Sequence, residues 1–189
     1  MVLLTAKHIQ KRFSEKQLLE DINLSIHLGD KIGLVGVNGS GKSTLLQIIA
    51  GAMEEDAGEI LRSNELRIGY LPQNPDFEPE STVLEQAMEY VQGAVPEYVV
   101  KTLLTKLRMN MFDRKMKALS GGQRKRVAMA AVMCRDTNLL ILDEPTNHMD
   151  NDIIEWLEEQ LENYKGSVLM ITHDRYFLEL SLIHISEPT

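Results

Sequence analysis

The pattern of apolar and polar positions predicts β-strands at the start of the chain. In the segment LLEDINLSIHLGD, Ile22, Leu24 and Ile26 alternate with polar residues, as in a strand with one buried face. A Gly-Asp pair predicts a turn at the end of this segment, and VLLTAKHIQKRF predicts another strand before it. We therefore expect short strands in the first thirty residues.

Farther along, apolar strands are separated by helical patterns. The strand predicted from Ile32 to Val35 is followed by a glycine-rich turn and a helix that Gly51 ends. A helix predicted from Val127 to Cys134 leads to the apolar strand NLLILD, then to the amphipathic helix NDIIEWLEEQLENYKG and the strand SVLMIT. Continuous apolar strands are typical of burial on both faces, so this order predicts an α/β fold with a helix-covered parallel sheet.

The stretch of residues 74–119 has a different character. Pro75, Pro79 and Pro96 separate helical segments such as TVLEQAMEYV and YVVKTLLTKL. We therefore expect a helical subdomain at about residues 74–135, inserted into the α/β pattern.

Composition limits the class of protein. The 189 residues, 43% apolar and 25% charged, are typical of one soluble globular domain. No apolar run approaches the roughly 20 residues that span a bilayer, so membrane insertion is not expected. The single cysteine, Cys134, excludes an internal disulfide and favours a reducing, cytoplasmic location. A net charge of −8 predicts repulsion of nucleic acid, so sequence-specific DNA binding is not expected, although residues 114–117 and 124–126 form small basic clusters.

The segment GVNGSGKS, residues 36–43, has the spacing of a phosphate-binding loop. It fits the pattern G-x-x-x-x-G-K-[ST] and lies between a predicted strand and a predicted helix, where backbone N–H groups and the helix N-terminus can bind phosphate oxygens. Lys42 would reach the β- and γ-phosphates of ATP, and the Ser43 hydroxyl would bind Mg²⁺. The predicted ATP-binding residues of this segment are Gly36, Asn38, Gly39, Ser40, Gly41, Lys42, Ser43 and Thr44.

Two acids follow the apolar strand in LLILDEP. Asp143 would stand at the carboxyl end of a buried strand, where parallel sheets bind ligands, and would hold Mg²⁺ directly or through water. Glu144 is placed to act as the general base for the attacking water. The structural alternative is that two acids simply end a strand.

The segment LSGGQRKRV breaks a local rule. Arg124, Lys125 and Arg126 come at the start of a predicted helix, where positive charge opposes the helix dipole. Such a violation often marks a functional place.

Taken together, GVNGSGKST, YLPQNP, LSGGQ, LLILDEPTNHMD and LMITHD resemble the motifs of an ATP-binding-cassette (ABC) ATPase domain, in the family's order. The resemblance implies a P-loop NTPase fold with a parallel-sheet core, an N-terminal antiparallel β subdomain and a helical subdomain. It implies that Ser120, Gly121, Gly122 and Gln123 cap the γ-phosphate held by a second cassette, in the same full-length chain or in a homodimer. The neighbouring cations are then expected to meet anionic ligand or phosphate-rich surroundings.

Four further roles follow from the same resemblance. Phe13 would stack on adenine, although an exposed aromatic in a strand can serve packing alone. Gln73 would contact Mg²⁺ and the attacking water, and His173 would contact the γ-phosphate unless it is a core histidine. Asp150 would belong to the loop that connects the two sites.

The segment DEPTNHMD, followed by IIEWLEEQL and THDRYFL, resembles the corresponding motifs of the ABC-F proteins. Members of that family carry two cassettes and act on the ribosome. The opening Met and N-terminal strands suggest the first cassette. Only 45 residues separate Gln73 from Leu119, so the ribosome-contacting arm of that family is expected to be reduced or absent. The alternatives are the ATPase subunit of a membrane transporter and a non-catalytic ATP-binding fragment.

The end of the chain departs from the family. LSLIHISEPT matches the conceptual translation of a transposase-type sequencing adapter. We therefore expect a cassette at residues 1–179 and a non-native tail at residues 180–189.

Overall fold

The computed structural model describes residues 1–36 and 39–174 and the backbone of residues 183–185. Eight strands and five α-helices lie in these ranges, with a short 3-10 helix at Met116–Ala118. In chain order they are β1 (Val2–Phe13), β2 (Lys16–His27), β3 (Lys31–Leu34), α1 (Lys42–Ala50), β4 (Ala57–Arg62), β5 (Ile68–Leu71), α2 (Val83–Val91), α3 (Glu97–Lys106), α4 (Gly121–Cys134), β6 (Leu139–Asp143), α5 (Asn151–Asn163), β7 (Ser167–Ile171) and β8 (Ile183–Ile185).

The N-terminal strands form an antiparallel sheet in the order β2-β1-β4. Leu24 and Ile26 of β2 are buried, in agreement with the predicted alternation, and Leu4 and Ile9 of β1 share their apolar cluster. β1 and β2 are each 12 residues long, so the expectation of short strands is wrong. Their length comes from extensive mutual pairing, which several register shifts interrupt without ending.

The second sheet is parallel and has the order β5-β6-β7-β3-β8. All five residues of β6 are buried, and the four apolar ones alternate between two apolar clusters. Leu139 and Ile141 pack with α1 and the antiparallel sheet, whereas Leu140 and Leu142 pack with helices α2 to α5. This two-sided burial is the physical reason for the continuous apolar strand, and the predicted α/β fold is confirmed.

The helices α2, α3 and α4 lie in the stretch where helical segments were expected. Thr82 and Glu85 cap α2 reciprocally through side chain and backbone. Cys134 ends α4 partly buried, and burial raises the pKa of its thiol to about 11. The division of the chain at residues 74 and 135 stays a prediction.

The strand β8 pairs in parallel with β3, from Ile32 with Ile183 to Leu34 with Ile185. It belongs to the stretch 180–189, whose other residues lie outside the described ones. The non-native origin of this stretch stays a prediction. Within the described ranges, no helix combines the length and the apolar character needed to cross a membrane.

Candidate functional site

The described residues 39–41, just before α1, contain two glycines in the left-handed backbone region. Gly39 and Gly41 have φ angles of +81° and +90°, which side-chain-bearing residues rarely adopt. A Cβ on Gly41 would also lie 2.9 Å from the Leu18 carbonyl oxygen, so glycine is required there for space as well. Gly41 precedes α1 without a side-chain cap, which leaves the first N–H groups of the helix available to an anion. The predicted ligand Asn38 lies outside the described residues.

Lys42 lies inside this loop rather than in solvent. Its side chain is 7% exposed, and its ammonium donates to the Gly36 carbonyl at 2.5 Å. The Ser40 hydroxyl is buried beside them and has no hydrogen-bond partner among the described residues. A buried hydroxyl and a cradle of backbone N–H groups fit a bound phosphate.

Asp143 fits a magnesium ligand. It is 2% exposed, its Oδ1 has no hydrogen-bond partner in the described part of the chain, and its side chain is hydrogen-bonded to Ser43. Burial raises the pKa of the Asp143 carboxyl above its usual value, and the Ser43 hydrogen bond partly opposes that rise. Among the described residues, no three His, Cys, Asp or Glu side chains are placed so that they could hold a metal ion together. This donor set suits Mg²⁺, which binds through one or two protein oxygens together with substrate phosphates.

Glu144 is held in one orientation by two neighbours. Its Oε2 accepts from the Asn147 amide at 2.5 Å, and its Oε1 lies 3.2 Å from His173 Nε2. Its backbone has a φ of +47°, and its N–H donates to the Ile171 carbonyl at 2.9 Å. The sequence reasoning missed Asn147, whose signal was an amide three residues after Glu144 in a turn.

A cavity of about 490 Å³ brings Lys42, Ser43, Gln73, Glu144 and His173 together, whereas Asp143 and Ser40 are not among its lining residues. Phe13 is not among the lining residues; it is 45% exposed at the end of β1, where the Lys11 ammonium lies 5.7 Å from the ring centroid. Its stacking on adenine stays a prediction. The lining consists of Leu18, Gly39, Gly41, Lys42, Ser43, Thr44, Gln73, Glu144, Asn147, Ile171 and His173.

The signature residues form the exposed beginning of α4. This helix begins at Gly121, six residues before the predicted start at Val127, because Ser120 and Gln123 form a reciprocal capping box. Ser120 and Gly121 are exposed, so they can reach another molecule. A Cβ on Gly122 would lie 3.0 Å from the His148 carbonyl oxygen, so this glycine lets the helix approach the turn after Glu144.

Arg124 and Arg126, the outer two of the three cations, make contacts within the fold. The Arg124 guanidinium stacks 4.2 Å from the Phe77 ring centroid and donates to two carbonyls of the 3-10 helix. Arg126 pairs with Asp150 at 3.4 Å, and Arg108 reaches the same carboxylate at 3.7 Å. Asp150 precedes α5 and remains largely exposed.

Lys125 is the buried member of the three, with 4% of its surface exposed. Its ammonium donates to the Asp143 carbonyl at 2.7 Å and to the Gln73 carbonyl at 3.0 Å. Burial lowers the pKa of this ammonium to about 8, while the nearby carboxylates of Asp143 and Glu144 oppose the shift. The expected anionic or phosphate-rich surroundings of the cations stay a prediction, and the Lys125 ammonium is directed into the site of its own chain.

A parallel sheet, a glycine loop before α1 and an Asp-Glu pair at the end of the β6 strand define a P-loop nucleotide-binding domain. The chain belongs to the ABC transporter family, whose sequence profile matches residues 19–147. It is an ATP-binding cassette, as its motifs predicted.

Similar proteins include several bacterial cassette proteins. The chain is 38% identical to the uncharacterized ABC transporter ATP-binding protein YfmR of Bacillus subtilis (strain 168), over 94% of this chain and 35% of that protein. It is 37% identical to the energy-dependent translational throttle protein EttA of Haemophilus influenzae, over 87% of this chain and 37% of that protein. The expected resemblance to ABC-F proteins is confirmed, since EttA is one of them. The chain spans about a third of the length of these relatives.

Solved structures share the fold. One described as the ATP-binding subunit of an ABC transporter has a TM-score of 0.79 and 25% identity, over 94% of this chain and 82% of that one. A dimeric ATP-binding cassette in a post-hydrolysis state has a TM-score of 0.81 and 24% identity, over 98% and 95% of the two chains.

Proposed function

We propose that this cassette hydrolyses ATP when it is paired face to face with a second cassette. The observation that carries the proposal is the position of Glu144: Asn147 and His173 hold its carboxylate at the wall of the cavity that Lys42 and Ser43 also line. A carboxylate fixed beside a phosphate-binding loop is placed to take a proton from water.

The residues would divide the reaction among them. The loop and Lys42 bind the β- and γ-phosphates of ATP, while Ser43, Asp143 and Gln73 are the residues that would hold Mg²⁺. When bound, Mg²⁺ neutralises charge on the phosphate oxygens. Glu144 accepts a proton from the attacking water. The oxygen of that water bonds to the γ-phosphorus, and the bond between the γ-phosphorus and the ADP oxygen breaks. His173 contacts the γ-phosphate and keeps Glu144 in place.

The signature residues support a paired arrangement. Ser120 and Gly121 are exposed at the N-terminus of a 14-residue helix, and neither lines the cavity that contains Lys42 and Glu144. A hydroxyl and backbone N–H groups at such a position can donate to a phosphate held by a second cassette. Asp150, exposed before α5, would lie near the same contact.

Turnover that depends on protein concentration tests this pairing. If two copies complete each other's sites, ATPase activity per molecule should rise with concentration and then level off as the dimer forms. The assay is phosphate release from Mg-ATP over a wide range of protein concentrations. A specific activity that stays constant while light scattering shows only monomer would contradict the pairing.

Ser120 provides a second test that separates capping from phosphate binding. Ser120→Asp retains a good N-cap and places negative charge at the positive end of the helix, so stability should be maintained. The same carboxylate should repel the partner's phosphate and slow hydrolysis at least about tenfold. Ser120→Ala should instead cost about 1 kcal/mol of stability. Urea unfolding and phosphate release measure the two effects, and full activity in Ser120→Asp would exclude the phosphate contact.

The partner that we propose for the full-length protein is the ribosome, in the cytoplasm. The support is the similarity to EttA, which is named an energy-dependent translational throttle protein. Its alignment covers 206 residues but uses 87% of this 189-residue chain, so that relative has aligned residues with no counterpart here. This difference agrees with a reduced arm.

A transporter ATPase subunit is the second candidate. It is favoured by the name of the Bacillus relative and by the solved transporter subunit of similar fold. Adding purified ribosomes to the phosphate-release assay separates the two. We expect faster turnover and ATP-dependent co-sedimentation with ribosomes; co-purification with membranes and no response to ribosomes would favour the transporter.

A further inference from the structure

Lys125 is a buried cation for which the proposed chemistry has no use. It contacts no predicted phosphate position, and its ammonium instead donates to the backbone carbonyls of Gln73 and Asp143. Those two residues, together with Ser43, are the ones whose side chains are proposed to face Mg²⁺. Lys125 therefore joins α4 to the polypeptide beyond β5 and to the end of β6.

The sheet leaves these carbonyls without their usual ladder. The pairing of β5 with β6 ends at Leu71 with Leu142. The Asp143 carbonyl is buried and therefore needs a partner, whereas the contact at the Gln73 carbonyl is partly buried. The ammonium of Lys125, a group with three donors, supplies one hydrogen bond to each. Lys125 thus connects the two chain segments just beyond the last paired residues of β5 and β6.

The charge of Lys125 is also matched to its place. A buried ammonium is costly unless nearby groups compensate it. Two carbonyl contacts and the carboxylates of Asp143 and Glu144 provide that compensation. The same arrangement offsets the repulsion between the two neighbouring carboxylates.

We propose that Lys125 is a positioning residue that holds Asp143 and Gln73 at the spacing Mg²⁺ requires. This inference rests on the proposed function. Fixing the backbone of a residue fixes the direction of its Cα–Cβ bond, so the two carbonyl contacts orient the two side chains.

Lys125→Met tests the proposal, because it keeps the length of the side chain and removes its donors. Lys31→Met is the matched control. The Lys31 ammonium also donates to two backbone carbonyls, those of Tyr164 at 2.9 Å and Gly166 at 2.6 Å. Lys31 is the first residue of β3, so it lies at the amino-terminal end of the parallel strands, away from the site at their carboxyl ends. Both substitutions remove a lysine that bridges two carbonyls, but only Lys125 lies next to the proposed magnesium ligands.

The primary measurement is the affinity for fluorescent ATP in EDTA and over a Mg²⁺ titration. In Lys125→Met we expect unchanged affinity in EDTA and a Mg²⁺ requirement raised about 10–100-fold, the usual range for residues that orient metal ligands. Lys125→Arg, which keeps charged donors, should restore part of the response. Lys31→Met should retain the wild-type Mg²⁺ response even if its unfolding temperature falls.

Two results would overturn the proposal: a wild-type Mg²⁺ response in Lys125→Met, or an equal loss in Lys31→Met. Lys125→Gln provides the same comparison if Lys125→Met does not fold. The binding measurement does not depend on hydrolysis, so a wild-type chain that binds Mg-ATP without turnover would refute the proposed ATPase and leave this test intact.

Discussion

Glu144→Gln is expected to slow ATP hydrolysis by about 10²–10⁴-fold, the contribution typical of a positioned general base. The amide cannot accept the proton of the attacking water, yet it has almost the same size as the carboxylate. ATP should therefore still bind, and because it is no longer consumed, two chains should remain closed around it. Phosphate release measures the first effect, and light scattering during size-exclusion chromatography with Mg-ATP measures the second.

The surrounding structure makes the Glu144 experiment specific. Glu155 is an exposed carboxylate on α5, so Glu155→Gln changes the net charge equally and should leave turnover unchanged. Asn147 and His173 should continue to contact the substituted side chain, which limits rearrangement of the cavity. Wild-type turnover in Glu144→Gln would remove Glu144 from the role of base.

Lys42→Ala should weaken ATP binding at least about tenfold, since a hydrogen bond to a charged group is worth about 1.5–3 kcal/mol. The substitution removes the ammonium proposed to contact the phosphates and also its bond to the Gly36 carbonyl, which shapes the loop. Fluorescent-ATP titration gives the affinity directly. Thermal unfolding gives an independent value, because ligand at 100 times its Kd stabilises the folded state by about 2.7 kcal/mol.

The control for this experiment is Lys106→Ala, at the exposed end of α3. It should retain the full ATP-induced rise in unfolding temperature. If Lys42→Ala also retained that rise, the loop would not be the phosphate site. If its unfolding temperature without ATP fell sharply, the Gly36 contact would account for part of the loss.

Local pattern was sufficient for much of the fold. β6 was predictable because burial on both faces makes its first four residues apolar, and Asp143 stands out as the acid that ends the strand. The strands β4 and β5 had no comparable signal. β4 is mostly exposed, so its segment AGEILR shows little alternation, and β5 has only four residues. Register within a sheet depends on neighbours that a short segment does not specify.

The site shows the same limit. The glycine loop and the acids are contiguous motifs, so their chemistry can be inferred from spacing. Lys125 acts on Gln73 and Asp143, which are 52 and 18 residues away in the chain, and only the folded structure brings them together. The early start of α4 has a local cause, the capping box of Ser120 and Gln123, which is itself a short sequence pattern.

Because Cys134 is partly buried, a dye can be attached selectively at another position to follow the proposed movement of two cassettes. With a thiol pKa of about 11, only about one in ten thousand of these side chains is ionised at neutral pH, so the native cysteine reacts slowly with maleimide dyes. A cysteine introduced at Tyr98, which is 72% exposed on α3, would be labelled selectively. Energy transfer between labels on two copies would then report their separation in real time as nucleotide is added and consumed.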